Sequence, residues 1–259
     1  MTELILLLNV LLLTRMVYLR SDEWLGMLAN LALSITQLAA LFLLFSSGRT
    51  TLWLGALIAA TGVVSLLIDA LAARRRLDLA EGWRALPLLL LLLGSGAIVN
   101  STGPLTASWL LVALEDLSAS LLPLLPDGSA LPLLNHVVFG LLLLANETNI
   151  LIRATFHHLR LEPQLGTTRQ PDPRLVRIDE AEYQAGRAIG ILERWLMFLV
   201  VFSQNDLTAI GFIIAVKGLV RYKRIENDRK DRFAEYLLVG TMLSTLFAII
   251  VAQWIRALA

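Results

Sequence analysis

Long apolar runs alternate with short polar clusters along the chain, and the runs are continuous rather than alternating residue by residue. A helix needs about 20 apolar residues to cross roughly 30 Å of hydrocarbon, whereas barrel strands alternate over about ten. The pattern predicts helices over 3–19, 24–45 and 51–72, a strong apolar run over 131–152, and a last run over 234–255. A helical hairpin is predicted within 186–224, turning at Ser203, Gln204, Asn205 and Asp206. Trp24 opens the second run as an interfacial anchor. Ser46, Ser47 and Gly48 close it as a turn. The first run lacks a basic lead and a small-x-small cleavage site, so it reads as a span rather than a removed leader.

Two segments compete for one further crossing. Residues 86–99 are apolar but short, with Pro87 suited to the first turn of a helix. Residues 105–125 are longer but carry Glu115 and Asp116 in mid-run. Lys and Arg collect on the cytoplasmic side of a membrane, and three basic loops stand out at 73–85, 153–187 and 221–233. Between 100 and 130 there is neither Lys nor Arg. If the basic loops share a side, the chain crosses an even number of times between 85 and 153. The run 131–152 supplies one crossing. Two carboxylates at mid-depth cost about 2.5–3.5 kcal/mol each on insertion scales, so 86–99 is the other crossing. Residues 105–125 become an interfacial or re-entrant segment. The expected fold is therefore all-α, a polytopic transmembrane helical bundle of about eight spans with both ends outside. Its N-terminal helices and outer segment occupy 1–130, and a C-terminal transmembrane module occupies 131–259.

Composition strengthens the membrane reading. Hydrophobic residues make up 57% of the chain, above the roughly 45–50% of soluble domains, and the mean hydropathy is +0.70. A net charge of +1 gives no ground for nucleic-acid binding, and the absence of Cys removes disulfides, thiolate metal sites and Cys nucleophiles.

Charge inside apolar helices is the candidate chemistry. Asp69, Glu147, Glu193, Lys217 and Glu235 all fall toward the cytoplasmic ends of their spans, as do Asn146 and Asn149; Arg15 in the first helix can snorkel to the surface. Gly186, Gly190 and Glu193 share one helix face at i, i+4 and i+7, and the glycines form a small-xxx-small pair for close helix approach. Arg194 lies on a neighbouring face. Lys217 and Arg221 share a face of the next helix, with Gly211 earlier on it. Gly240, Thr241 and Ser244 make another close-packing face beyond Glu235. Glu193 and Lys217 flank the hairpin turn at similar depth and could pair. Two readings stand side by side. In one these charges are a structural clamp of buried ion pairs. In the other they line a cytoplasm-facing pocket for an ion, a proton or an anionic headgroup.

Catalytic signals are weak by comparison. His157 and His158 are adjacent and lie just past a span, and with His136 they are too few for the imidazole-rich membrane metal enzymes. Gly94-Ser95-Gly96 has no base at a matching depth, and small residues in membrane helices usually pack. No Gly-x-x-x-x-Gly-Lys loop occurs. Neither a metal nor a cofactor is expected. The basic, Pro-containing loop after residue 153 follows from topology alone, so nucleic acid is not an expected partner.

Three motifs appear in order: G-x-x-I-G-x-L-E-R at 186–194, A-I-G-F-x-I-A-x-K-x-x-x-R at 209–221, and A-E-Y-x-x-x-G-T-x-x-S at 234–244. Together they resemble the C-terminal half of an uncharacterised bacterial integral-membrane family, a domain of unknown function, over about 131–252. The resemblance implies a multi-pass protein of the bacterial cytoplasmic (inner) membrane. It directs attention to Gly186, Gly190, Glu193, Arg194, Ala209, Gly211, Lys217, Arg221, Glu235, Tyr236, Gly240, Thr241 and Ser244, and supplies no mechanism. The expected function is a non-enzymatic membrane component or scaffold, with the lipid bilayer as partner and a membrane or cytoplasmic protein as candidate partner. A small-solute, ion or proton transporter or channel using Glu193 and Lys217 is the alternative, and an enzyme acting on lipid comes third.

Overall fold

The computed structural model describes residues 2–17, 27–75, 83, 85–121, 130–159, 161, 164–165, 177–178, 180–204, 207–227 and 231–258. These residues are almost entirely helical. Five helical stretches are long and apolar enough to cross a membrane: Met27–Leu44, Arg49–Leu71, Ala85–Thr102, Pro132–Leu159 and Leu238–Leu258. The chain is a helical membrane protein. The remaining helices of the sequence reading fall short for two reasons: the first is 14 residues long, and the hairpin helices interrupt their apolar faces with charge.

Packing divides the chain into two compact units, residues 1–142 with the terminal residue 259, and Leu143–Leu258. The first unit contains α1 (Thr2–Arg15), α2 (Met27–Leu44), α3 (Arg49–Arg75), α4 (Ala85–Thr102), α5 (Trp109–Leu121) and α6 (Ala130–Leu142). Helices α2, α3 and α4 pack in sequence order, and α1 packs against α6, α2 and α4. Asn9 of α1 donates from Nδ2 to the Asn135 backbone carbonyl of α6 at 3.0 Å and to its side-chain Oδ1 at 2.5 Å, while Asn135 Nδ2 donates to Thr2 O at 3.0 Å. Among these Leu-rich helices the amide pairs fix which faces meet, which apolar contact alone specifies poorly.

Turn chemistry sets the ends of these helices. Helix α4 stops at Gly103, whose φ of 100° suits a residue without a Cβ just past a helix end. The following segment runs back along the α2–α3 turn. Phe45 bridges Ala107 in antiparallel fashion, Ser46 N donates to Thr106 O at 2.9 Å and Ser108 N donates to Leu44 O at 2.9 Å. Ser108 then caps α5, its Oγ accepting from Leu111 N at 3.4 Å and donating to Leu43 O at 2.7 Å. Helix α5 has 13 residues, about 20 Å at 1.5 Å per residue, which is short of the roughly 30 Å core. It packs on α2 and leaves Asp116 exposed; the Glu115 side chain lies outside the described residues.

The second unit opens with a π-helical turn, Leu143–Glu147, that leads into α7 (Thr148–Leu159). Two two-residue strands, β1 (Gln164–Leu165) and β2 (Arg177–Ile178), pair in parallel within the polar segment that follows. Then come α8 (Glu180–Gln204), α9 (Leu207–Asn227) and α10 (Asp231–Leu258). Helix α8 packs chiefly on α10 and also on α9 and the π turn, while α10 covers α7. The core of this unit is made by Leu144, Met197, Phe198, Val201, Ala248, Ala252 and Ile255, all fully enclosed. Phe198 stacks on Phe202 with ring centres 5.6 Å apart.

Candidate functional site

Buried polarity gathers in two places, one in each unit. In the second unit it is organised by the π turn. A π turn widens the helix by one residue and disturbs the regular carbonyl pairing, which is why such turns mark functional or strained positions. Here the carbonyls find side chains instead. Thr148 Oγ1 donates to Leu143 O at 3.1 Å. Arg194, reaching across from α8, donates from Nε to Leu144 O at 2.9 Å and from Nη2 to Asn149 Oδ1 at 2.7 Å. Arg194 is only 3% exposed. Its planar fork lets one guanidinium serve two acceptors on adjacent turns, which an ammonium could not do.

Carboxylates accompany this cation. Glu147, itself in the π turn and buried, accepts from Asn146 Nδ2 at 3.0 Å. Glu193 is half-buried and close enough to act on Arg194 electrostatically. A guanidinium bonded to the Leu144 carbonyl and the Asn149 side chain, with Glu193 beside it, is a clamp that ties α8 to the π turn and the start of α7. Asn149 Nδ2 on α7 and Ser244 Oγ on α10 are buried with no hydrogen-bond partner among the described residues.

The other residues singled out from sequence are distributed differently. Glu235 is exposed on α10, and Thr241 is half-buried. Gly240 is a close approach: a Cβ there would come within 2.9 Å of Phe156 Cζ, and the Phe156 ring also meets Tyr236 at 4.7 Å. Around Gly186 and Gly211 a Cβ would meet nothing within 4 Å, and at Gly190 only Arg194 Nη1 at 3.9 Å. Lys217 and Arg221 lie on α9, and their side chains are outside the described residues. His136 is buried and its Nδ1–H donates to Pro132 O at 2.7 Å, an ordinary satisfied helix contact. Ser95 likewise donates to Leu92 O at 3.1 Å.

The first unit holds a cluster that the sequence reading did not assemble. Arg15 is not at the surface; it is 4% exposed and lines a small cavity with Asn30, Ser34, Gln37, Thr61 and Ser65. Asn30 donates from Nδ2 to Asp69 Oδ2, and Gln37 Nε2 donates to Thr14 Oγ1 at 2.9 Å. Gly62 makes room, since a methyl in its place would collide with Ser34 Oγ. A signal was present: Arg15 and Asp69 fall toward the C-terminal ends, and Asn30 and Pro87 toward the N-terminal ends, of four successive helices. Among the described residues no group of three or more His, Asp or Glu side chains could hold a metal ion. No family model, no curated protein and no solved structure matches the chain.

Proposed function

We propose that the chain is a structural component of the bacterial cytoplasmic membrane, an eight-span scaffold whose basic loops face the cytoplasm and hold a membrane or cytoplasmic protein partner. The observation that carries this reading is the dry packing beyond the Arg194 clamp. Past Arg194, helix α8 continues with Met197, Phe198 and Val201, each with zero exposure. A solute path along α8 would have to displace this apolar core, whereas a scaffold needs it. In this reading Glu193, Arg194, Lys217 and Glu147 fix helix register and do not carry a substrate. The short segment around α5 rests at the outer surface, as an interfacial or re-entrant element.

Two contacts within the first unit support the topology. Ser46 is bonded to Thr106, so the turn after α2 and the segment after α4 lie together. Asn135 is bonded to the Thr2 carbonyl, so the starts of α1 and α6 lie together. The eight-span arrangement makes each of these a same-side pair. Reporter tags at Gly48 and Gly128 should read outside, and tags near Arg75, Arg174 and Lys230 should read cytoplasm. Finding Gly128 and Arg174 on one side would overturn the eight-span arrangement.

A transporter or channel using Glu193 and Lys217 is the second reading, favoured by the burial of Glu147 and Arg194 at one level of the second unit. Flux separates the two. Purified protein in liposomes carrying a pH-sensitive dye is challenged with sodium, potassium and proton gradients. The scaffold reading expects the response of empty vesicles, and a protein-dependent flux lost in Glu193→Gln would replace it with the transporter.

A further inference from the structure

The cavity of the first unit has a composition that selects its occupant. The space open to the centre of a water-sized sphere is about 10 Å³, close to the minimum that holds one water molecule. What the walls offer depends on which protons are already spent. Ser34 Oγ donates to Asn30 O at 3.1 Å, Thr61 Oγ1 to Ile58 O at 2.9 Å and Ser65 Oγ to Thr61 O at 2.9 Å. A hydroxyl has one proton and two lone pairs, so these three turn only acceptor capacity toward the space. Arg15, on the wall contributed by α1, has donors and no acceptor.

We propose that this cavity is a built binding site for a single water molecule. The guest must give protons to hydroxyl oxygens and be able to accept from a guanidinium. An anion cannot give and a cation cannot accept, while water does both. Gly62 keeps Ser34 Oγ in place at the wall, and Pro87 and Leu91 of α4 close the apolar side.

Radiolytic hydroxyl labelling in oxygen-18 water tests this, because a bound water marks the buried side chains beside it. Leu91 lines the cavity and is 3% exposed, while Leu41 and Leu54 are 0% and 1% exposed and are not among the residues that line it. In the purified protein Leu91 should be labelled severalfold faster than Leu41 or Leu54. Ser65→Ala, a small change that removes one acceptor, should reduce Leu91 labelling at an unchanged unfolding midpoint. If Ser65→Ala unfolds the protein, Thr61→Ser, which keeps the oxygen, must label like the wild type. Leu91 labelling no faster than Leu54 means a dry cavity and overturns the proposal. So does a stability that depends on replacing sodium by choline, which means a cation, or chloride by gluconate, which means an anion. Unchanged stability in all four salts with rapid Leu91 labelling is the expected result.

Discussion

Replacing Arg194 by Met removes the clamp while keeping an unbranched side chain of similar reach. The loss follows from the contacts. Arg194 is 3% exposed and makes two hydrogen bonds, to Leu144 O at 2.9 Å and Asn149 Oδ1 at 2.7 Å. Interhelical hydrogen bonds in membrane proteins average about 0.6 kcal/mol and reach about 1.7, so two contribute roughly 1–3 kcal/mol. Bonds to charged groups in soluble proteins contribute about 1.5–3 kcal/mol each. The membrane scale is the better guide to the lower bound, because the unfolded helices also find partners. Two effects then act in opposite directions. Removing the cation takes a neighbouring positive charge from Glu193, and orphaning a fully enclosed charge costs about 3–5 kcal/mol. Glu193 is only half-buried, so a fraction of that applies. Against it, Met has no desolvation penalty.

The net expectation for Arg194→Met is a destabilisation of about 2–3 kcal/mol, roughly 30- to 150-fold in the folding equilibrium. Unfolding in detergent mixtures of increasing dodecyl sulfate measures it. Arg194→Lys should fall between, since an ammonium restores charge but cannot fork to both acceptors. The control Leu192→Ala, at a residue 60% exposed, should stay within about 0.5 kcal/mol of wild type. In a cycle with Asn149→Ala, the double variant should lose about 1 kcal/mol less than the sum of the singles, as expected for partners in contact. An Arg194→Met protein as stable as the Leu192→Ala control would refute the clamp, and so would strict additivity with Asn149→Ala.

Three further outcomes are expected. Gly240→Ala places a methyl against the Phe156 ring and should destabilise by about 1–3 kcal/mol through overpacking; Phe156→Leu should restore most of this, and a Gly240→Ala protein of unchanged melting point would contradict the close approach. Ser244→Ala removes a buried hydroxyl without a partner among the described residues and should be neutral or stabilising by up to about 1 kcal/mol, as read by thermal unfolding in detergent. Glu193→Gln and Lys217→Met should each lower the melting point, with the double variant recovering much of the loss; additive losses would remove this pair from the clamp.

The helices were legible because a bilayer leaves few alternatives. Continuous apolar runs of spanning length must be helical when their backbone has no water to bond. The choice between 86–99 and 105–125 also rested on sound physics: Glu115 and Asp116 argued against a deep crossing, and α4 is an 18-residue apolar helix while α5 has 13 residues. Turn residues were readable too, since Ser46, Ser47 and Gly48 announce the α2–α3 turn. The π turn was not. Leu143–Glu147 has no local signature, and what holds it open is Arg194, whose acceptors lie 45 and 50 residues away in the chain. Small-residue pairs were equally ambiguous. Gly186-Gly190 and Gly240-Ser244 share one spacing, yet only at Gly240 does a neighbouring ring press against the helix. That difference belongs to the partner helix and is absent from the motif.

Arg15 carries the clearest lesson about depth. Near the end of a short first helix it looks free to snorkel, and nothing in residues 3–19 says otherwise. Its fate is decided by α2 and α3, which bring Asn30, Gln37, Thr61 and Ser65 around the same cavity, with Asp69 bonded to Asn30. Each of these residues alone is tolerable in an apolar helix: a Thr or Ser can satisfy itself on its own backbone, and an Asn or Asp near a helix end can reach water. Together they cost less than apart where one donates to another, as Asn30 does to Asp69 and Gln37 to Thr14. Polar residues in membrane helices are therefore better read as a set at one depth than one at a time. Applied to four consecutive helices, that rule selects Arg15, Asn30 and Asp69 before any coordinate is known. It also separates the two units physically. In the first, a polar set lines a small cavity; in the second, Arg194 reaches to the helix itself and takes up the Leu144 carbonyl and the Asn149 side-chain oxygen.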